Sequence, residues 1–138
     1  MQKLAAGSLL VNCLRTRFGG ALDPGAFAVA PAAWAALPAE ATRQSVAPLL
    51  YERLRALEGI ARPPAPVTAA LRQAYIRSAF RNAIVFRELG AAATELQRRG
   101  IDVIGLKGVH LATQIWDDPA IRGMADIDIL VPFDRLAE

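Results

Sequence analysis

The stretch IDVIGLKGVHLATQIWDDPAIRGMADIDILV, residues 101–131, decides the fold of this chain. Its beginning, Ile101–Leu106, is rich in β-branched residues, which predicts a strand. A Lys-Gly turn follows, and Val109–Trp116 has the apolar spacing of a helix. The last part, Asp126–Val131, begins with the acidic-apolar alternation of a second strand. The pattern predicts a strand-helix-strand unit whose strands are either parallel or separated by a further strand.

Helical patterns fill the chain before this unit. They cover Lys3–Phe18, a short piece around Trp34, Ala39–Leu57 and Val67–Arg99. Pro38 is expected to separate two helices, and Pro48 to kink the second of them. The predicted fold class is α+β, with a mostly helical N-terminal region packed on a small strand-helix-strand core that is incomplete at its C-terminus. The expected divisions are 1–66 for the helical region, 67–100 for a long helix leading into the core, and 101–138 for the partial core.

The longest helical pattern, Val67–Arg99, has one largely apolar side. Residues three or four apart form it: Leu71, Tyr75, Ser78, Asn82, Phe86, Leu89, Ala93 and Leu96. Because this spacing places side chains on one helix face, that face is expected to pack against the core. Asn82 is either a buried amide bonded to backbone or a polar contact near the active site. Gly100 is expected to cap the C-terminus of the helix.

Composition places the chain among folded, water-soluble proteins. The hydrophobic fraction is 54% and the charged fraction 21%, which is not a disordered composition. No apolar run reaches the roughly 18 residues that a membrane span requires, so no membrane partner is expected. Cys13 is the only cysteine, which excludes an intrachain disulfide and agrees with a cytoplasmic location.

Charge is distributed unevenly along the chain. Residues 43–99 hold ten Arg against four Glu, whereas residues 100–138 hold seven acidic residues against three basic ones. A basic helical region beside an acidic segment is a pattern that suits a polyanion bound next to a metal site. The favoured alternative is that these arginines form solvated helix faces. Arg outnumbers Lys fourteen to two, which indicates a compositional bias, so the number of Arg alone is poor evidence for a nucleic-acid partner.

Asp126 and Asp128 are the candidate metal ligands. Side chains two apart on a strand point the same way, so both carboxylates are expected on one face. Two neighbouring carboxylates repel each other unless a cation lies between them. Hard oxygen ligands suit Mg²⁺, which takes the rest of its coordination shell from water and phosphate. The alternative is a pair of solvated side chains at a strand end.

Lys107 and Gly108 are candidate phosphate-binding residues. Gly108 permits close backbone approach at a helix N-terminus, where amide groups favour anions. Lys107, one of two lysines in the chain, is expected to supply positive charge for a triphosphate. The alternative is an ordinary strand-to-helix turn. Arg122 is expected either to bind a phosphate or to pair with Asp117, Asp118 or Asp126.

These motifs, taken in order, resemble the uncharacterised bacterial nucleotidyltransferases of the DNA-polymerase-beta-like superfamily. The matching residues are Leu106-Lys107-Gly108, Asp118-Pro119, Arg122 and Asp126-Ile127-Asp128-Ile129-Leu130-Val131. Ala125 departs from the family pattern, where Gly is usual, and Trp116 stands where Tyr is common. Neither departure removes a group that the chemistry needs.

The resemblance implies two-metal phosphoryl transfer from a nucleoside triphosphate. Asp126 and Asp128 would be the catalytic, metal-binding carboxylates for Mg²⁺ or Mn²⁺. Lys107, Gly108 and Arg122 would bind the nucleotide phosphates. A third carboxylate, which similar enzymes take from a later strand, is not found in this sequence. The chain is therefore expected to be an N-terminal fragment or truncated product of such an enzyme.

Several functional alternatives stay open at this stage. The acceptor is a small molecule, a saccharide or, in a toxin-like or abortive-infection enzyme, an RNA end that binds the arginine-rich region. A glycosyltransferase with a D-x-D motif is a weaker alternative, because mostly helical residues precede the motif. A catalytically inactive, truncated partner-binding module is the non-enzymatic alternative. Its exposed strand edge would then associate with another chain or a second copy.

Overall fold

The computed structural model describes residues 2–15, 27–55 and 62–135. The elements in chain order are helices α1 (Gln2–Arg15), α2 (Pro31–Arg43), α3 (Ala47–Leu54) and α4 (Ala65–Arg98), strand β1 (Ile104–Gly105), helix α5 (Lys107–Gln114) and strand β2 (Ile129–Leu130). Short 3-10 turns cover Pro119–Ile121 and Phe133–Arg135. Helices with one small sheet confirm the α+β class. The predicted ends of the first and third helices, Phe18 and Leu57, lie outside the described residues.

The chain divides into two compact units, residues 1–76 and 77–138. The three-part division expected from the sequence stays a prediction. None of the described helices combines the length and the apolar character needed to cross a bilayer.

The first unit has an apolar core to which all four of its helical segments contribute. Its buried members are Leu9, Leu10, Cys13, Phe27, Ala33, Trp34, Leu37, Ala41, Ala47, Leu50, Leu54, Val67 and Leu71. Trp34 stacks on Phe27 with ring centroids 6.3 Å apart, and Tyr51 meets Tyr75 at 5.2 Å. The start of α4 therefore packs by the apolar face that the sequence predicts.

The two prolines act differently from what the sequence predicts. Helix α2 runs through Pro38 without a break, because Leu37 and Ala41 on the same side are both fully buried and hold the helix in place. Pro48 lies in the first turn of α3, where a missing N–H is tolerated, so it begins a helix instead of kinking one. The expectation of one helix over Ala39–Leu57 is wrong.

The break between α2 and α3 occurs at Ser45. This residue is left-handed, with φ of 59°. Its N–H donates to the Thr42 carbonyl at 3.0 Å, and the Val46 N–H donates to the Ala41 carbonyl at 2.9 Å. These two bonds are the Schellman pattern of a helix C-terminus, formed here with serine at the position that glycine usually takes.

The second unit is built on the later part of α4. Its core contains Val85, Val109, Ala112 and Met124, with Phe86 and Leu89 packed against them. The predicted face of the long helix is thus confirmed, and its observed bounds agree closely with Val67–Arg99. Gly100 caps α4 with φ of 69°, and the Ile101 N–H donates to the Leu96 carbonyl at 2.9 Å.

The two strands are antiparallel and adjacent. Ile104 pairs with Leu130 and Gly105 with Ile129. The expectation of parallel or separated strands is wrong, because after the eight-residue α5 the chain returns to the end of β1 where it left the sheet. Both strands are two residues long, shorter than predicted, since the turn into α5 at Lys107 ends the pairing.

Candidate functional site

The turn between β1 and α5 contains the Lys-Gly motif. Leu106 is extended, with ψ of 170°, and Lys107 then takes a left-handed conformation with φ of 45°. Residues with a Cβ atom are disfavoured there by about 1–2 kcal/mol. Strain of this kind is concentrated at functional sites, where the surrounding structure imposes it. The conformation lets the chain leave the strand and enter the helix within one residue.

Lys107 and Asp128 lie next to each other. The Lys107 Nζ atom is 3.1 Å from the Asp128 Oδ1 atom, and the side chains are 74% and 30% exposed. The Leu106 N–H also donates to the Asp128 carbonyl at 2.9 Å, which continues the antiparallel pairing by one position. An ion pair this exposed contributes at most about 1 kcal/mol to stability. Its significance is that it brings the two predicted motifs together.

Gly108 faces the core of the second unit. A Cβ atom added there would lie 3.3 Å from Met124 Cγ and 3.6 Å from Met124 Sδ. Glycine therefore allows the first turn of α5 to approach Met124, which is 3% exposed. Sequence reasoning missed this role of Met124. The available signal was an apolar residue in a polar loop, two positions before Asp126.

Asn82 binds the segment that leads to the acidic motif. Its Nδ2 donates to the carbonyls of Pro119 and Arg122, both at 2.7 Å. Its Oδ1 accepts the Met124 N–H at 3.1 Å. The side chain is 2% exposed. The first of the two alternatives for this residue, a buried amide bonded to backbone, is confirmed.

The two faces of the small sheet differ in how closely α5 approaches them. A Cβ atom added to Gly105 would lie 3.0 Å from Val109 Cγ1, so α5 packs against this face at Gly105, whereas the partner Ile129 is 37% exposed. Side chains alternate along a strand, which puts Leu130 and Asp128 on the opposite face. Leu130 is 53% exposed there. Asp128 therefore belongs to the accessible side of the sheet.

Arg122 and Asp126 are both exposed. Within the described part of the chain, no ion pair joins Arg122 to Asp117, Asp118 or Asp126. The Asp118 carboxylate instead accepts the Ala120 N–H at 2.9 Å and caps the turn at Pro119–Ile121. Arg122 and Asp126 are thus both accessible to a ligand.

The donor set suits a hard divalent cation. Asp126 and Asp128 offer only carboxylate oxygens, the ligand type that Mg²⁺ and Mn²⁺ accept together with water and phosphate oxygens. Among the described residues there is no group of three or more His, Cys, Asp or Glu side chains that would enclose a metal.

Two further reactive side chains are not part of this arrangement. His110 is exposed on α5. Cys13 belongs to the core of the first unit, and burial raises the pKa of its thiol to about 12. The burial and raised pKa of Cys13 argue against a nucleophilic role for its thiol.

Comparison with known protein families gives a match over the site. A family model described as an uncharacterised nucleotidyltransferase matches residues 30–138, which is more than half of the chain. The match includes the Lys-Gly turn, Arg122 and both carboxylates. No curated protein and no solved structure matches.

Proposed function

The chain belongs to the uncharacterised nucleotidyltransferase family, and on that premise we propose that it transfers a nucleoside monophosphate from a nucleoside triphosphate to an acceptor. The observation that carries the proposal is the 3.1 Å contact between Lys107 and Asp128. These residues come from the two motifs, 21 positions apart. If the roles proposed for the two motifs hold, this contact would bring a phosphate-binding cation next to a metal-binding carboxylate.

The proposal gives each site residue a role. Asp126 and Asp128 would hold Mg²⁺ or Mn²⁺, which when bound would supply Lewis-acid charge to the phosphates and the acceptor hydroxyl. The backbone N–H groups of the first turn of α5 have no partner within the helix and can donate to phosphate oxygens. Arg122 would add positive charge, and its planar guanidinium suits bidentate binding of phosphate.

Lys107 would change partners when substrate binds. Its flexible, largely exposed side chain pairs with Asp128 in the structure. A phosphate group delivered to this turn is a stronger partner, because hydrogen bonds to a doubly charged group are short and charge-assisted. The lysine would then stabilise negative charge on the phosphates during transfer.

Calorimetry of nucleoside triphosphate binding tests the proposal. Each of the four triphosphates is titrated with and without Mg²⁺ into the wild-type chain, Asp128→Asn and Asp102→Asn. Asp102 is also exposed but precedes β1, so its variant is the matched control. We expect Mg²⁺-dependent binding that weakens about tenfold or more in Asp128→Asn, and no change in the control. A folded wild-type chain that binds no triphosphate would refute the function.

An exposed surface of α4 favours a second candidate function, in which the acceptor of the nucleoside monophosphate is an RNA end. Arg77, Phe80 and Arg81 share an exposed side of α4, and Phe80 is 70% exposed. The described residues include no ion-pair partner for either arginine. Cations that flank an exposed aromatic ring suit a single strand, whose bases stack and whose phosphates pair.

The salt dependence of RNA binding tests this second candidate function. The affinity for a labelled single-stranded RNA is measured by fluorescence anisotropy at several salt concentrations. Replacing Arg77 and Arg81 by Gln should reduce the slope of log affinity against log salt by roughly 1.4, because two phosphate contacts are lost. Replacing Arg98 and Arg99, which already pair with Glu95, is the control. Equal slopes in both double variants would favour a different acceptor.

A further inference from the structure

We propose that Asn82 is the positioning residue of the nucleotide site, fixing the segment that carries the acidic motif against the Lys-Gly turn. This role rests on the proposed function. Asn82 lies on α4, more than 40 positions before Asp126, and does not belong to either motif. It would act through the backbone it holds and would not contact the nucleotide.

The hydrogen bonds of Asn82 all go to one short segment. Its two N–H donors bind the carbonyls of Pro119 and Arg122, and its oxygen binds the N–H of Met124. The backbone is thus held at three points within six residues, ending two residues before Asp126. Because neither a helix nor a strand covers residues 122–128, this segment depends on side-chain partners for its conformation.

Met124 connects the segment held by Asn82 to the Lys-Gly turn. Its N–H is bound by Asn82, while its buried side chain lies against Gly108. A shift of the Met124 backbone would therefore disturb both the approach to Asp126 and the packing of the first turn of α5. One buried amide contributes in this way to the relative placement of the two motifs.

The chemistry of the three partners requires an amide. Two carbonyl oxygens need donors and one N–H needs an acceptor, and a carboxamide supplies both kinds of group from one planar unit. The reversed orientation would put the amide oxygen against two carbonyl oxygens, so the bonding pattern fixes the orientation. Aspartate has nearly the same shape as asparagine, but when ionised it offers only hydrogen-bond acceptors. The substitution Asn82→Asp therefore removes both donors and adds a negative charge, with little change in side-chain volume.

The test compares Asn82→Asp with Asn12→Asp, the same substitution in the first unit. Hydrogen exchange of the Met124 amide, followed by NMR, reports on the hydrogen bond between Met124 and Asn82. Calorimetry with Mg²⁺ and ATP, at a temperature where each variant is fully folded, reports on the site. We expect about tenfold faster exchange and about tenfold weaker ATP binding in Asn82→Asp, the effect of a lost buried hydrogen bond, and neither change in Asn12→Asp.

The other outcomes separate the two hypotheses. Wild-type ATP binding that persists unchanged in Asn82→Asp, despite a lower melting temperature, would show a purely structural role and overturn the inference. Absence of Mg²⁺-dependent binding in the wild-type chain would overturn the proposed function itself. If Asn82→Asp does not fold, Asn82→Ser is measured in the same way, because serine keeps one donor and one acceptor without burying a charge.

Discussion

Lys107 combines an unfavourable backbone conformation with a charged side chain at the site. Ser45 has the same left-handed backbone in the first unit, far from either motif in sequence. Ser45→Gly should therefore raise the free energy of unfolding by about 0.5–1 kcal/mol, because glycine adopts this conformation without a steric penalty. Denaturant titration measures the change.

The substitution Lys107→Gly should likewise remove the steric penalty of the left-handed backbone, but it also removes the positively charged ammonium group. We expect Mg²⁺-dependent triphosphate binding to weaken about tenfold or more, although the backbone is less strained. Ser45→Gly is the control, since it relieves strain without touching the site. Undiminished triphosphate binding by Lys107→Gly would mean that the lysine has no part in the site.

Cys13 should be unreactive in the folded chain. Burial raises its thiol pKa from 9.0 to about 12, so at pH 8 the thiolate fraction falls roughly a thousandfold. Between pH 9 and about 12 the folded state keeps a proton that the unfolded state loses. The contribution of Cys13 to the free energy of unfolding is therefore fully present below pH 9 and declines from pH 9 towards 12. Thiol labelling at pH 8, with and without denaturant, checks this. Rapid labelling of the native chain would contradict the burial.

Pro38 shows how packing overrides a local signal at the scale of a helix. A proline removes one backbone hydrogen bond and crowds the preceding turn, so the sequence predicts a break there. The helix continues because its buried side fills the core of the first unit. Pro38→Ala should therefore raise the free energy of unfolding by about 1–3 kcal/mol, as measured by denaturant titration. A decrease would mean that the proline ring itself contributes essential packing.

The elements that local rules describe were predictable from the sequence. The apolar face of α4 is predicted by the regular spacing of its residues, and the end of the helix is predicted by Gly100. The direction of β2 was not predictable, because it depends on the path of the chain after α5. Met124 was missed for a related reason, since an irregular segment gives no periodic signal of burial. The contact between Lys107 and Asp128 likewise follows only from the antiparallel register.

At the scale of the whole molecule, the two units have cores of different size. Among the described residues, the apolar cluster of the first unit has thirteen buried members and that of the second has four. The second unit should therefore open more often, because less apolar area is buried there. Hydrogen exchange should be faster at amides of α5 than at those of α2.

Substrate should reduce this difference. Binding stabilises only the state that contains the site, so Mg²⁺ and ATP together should slow exchange in α5 and leave α2 unchanged. Mass spectrometry of exchanged peptides measures both. Equal slowing in the two helices would indicate a general effect of the solution, and faster exchange in α2 than in α5 would contradict the ranking of the cores.

The ion pair between Lys107 and Asp128 gives the proposed site a positive charge of its own. A bare carboxylate pair would recruit any available cation, whereas here a tethered amine already neutralises part of its charge. If Asp128 binds a metal as proposed, a metal that arrives alone would have to displace the amine of Lys107 and leave it without a partner. A metal arriving with a triphosphate offers the amine a new anion, so the exchange conserves the number of ion pairs. The chain should therefore bind free metal weakly and bind metal and nucleotide more tightly when they arrive together.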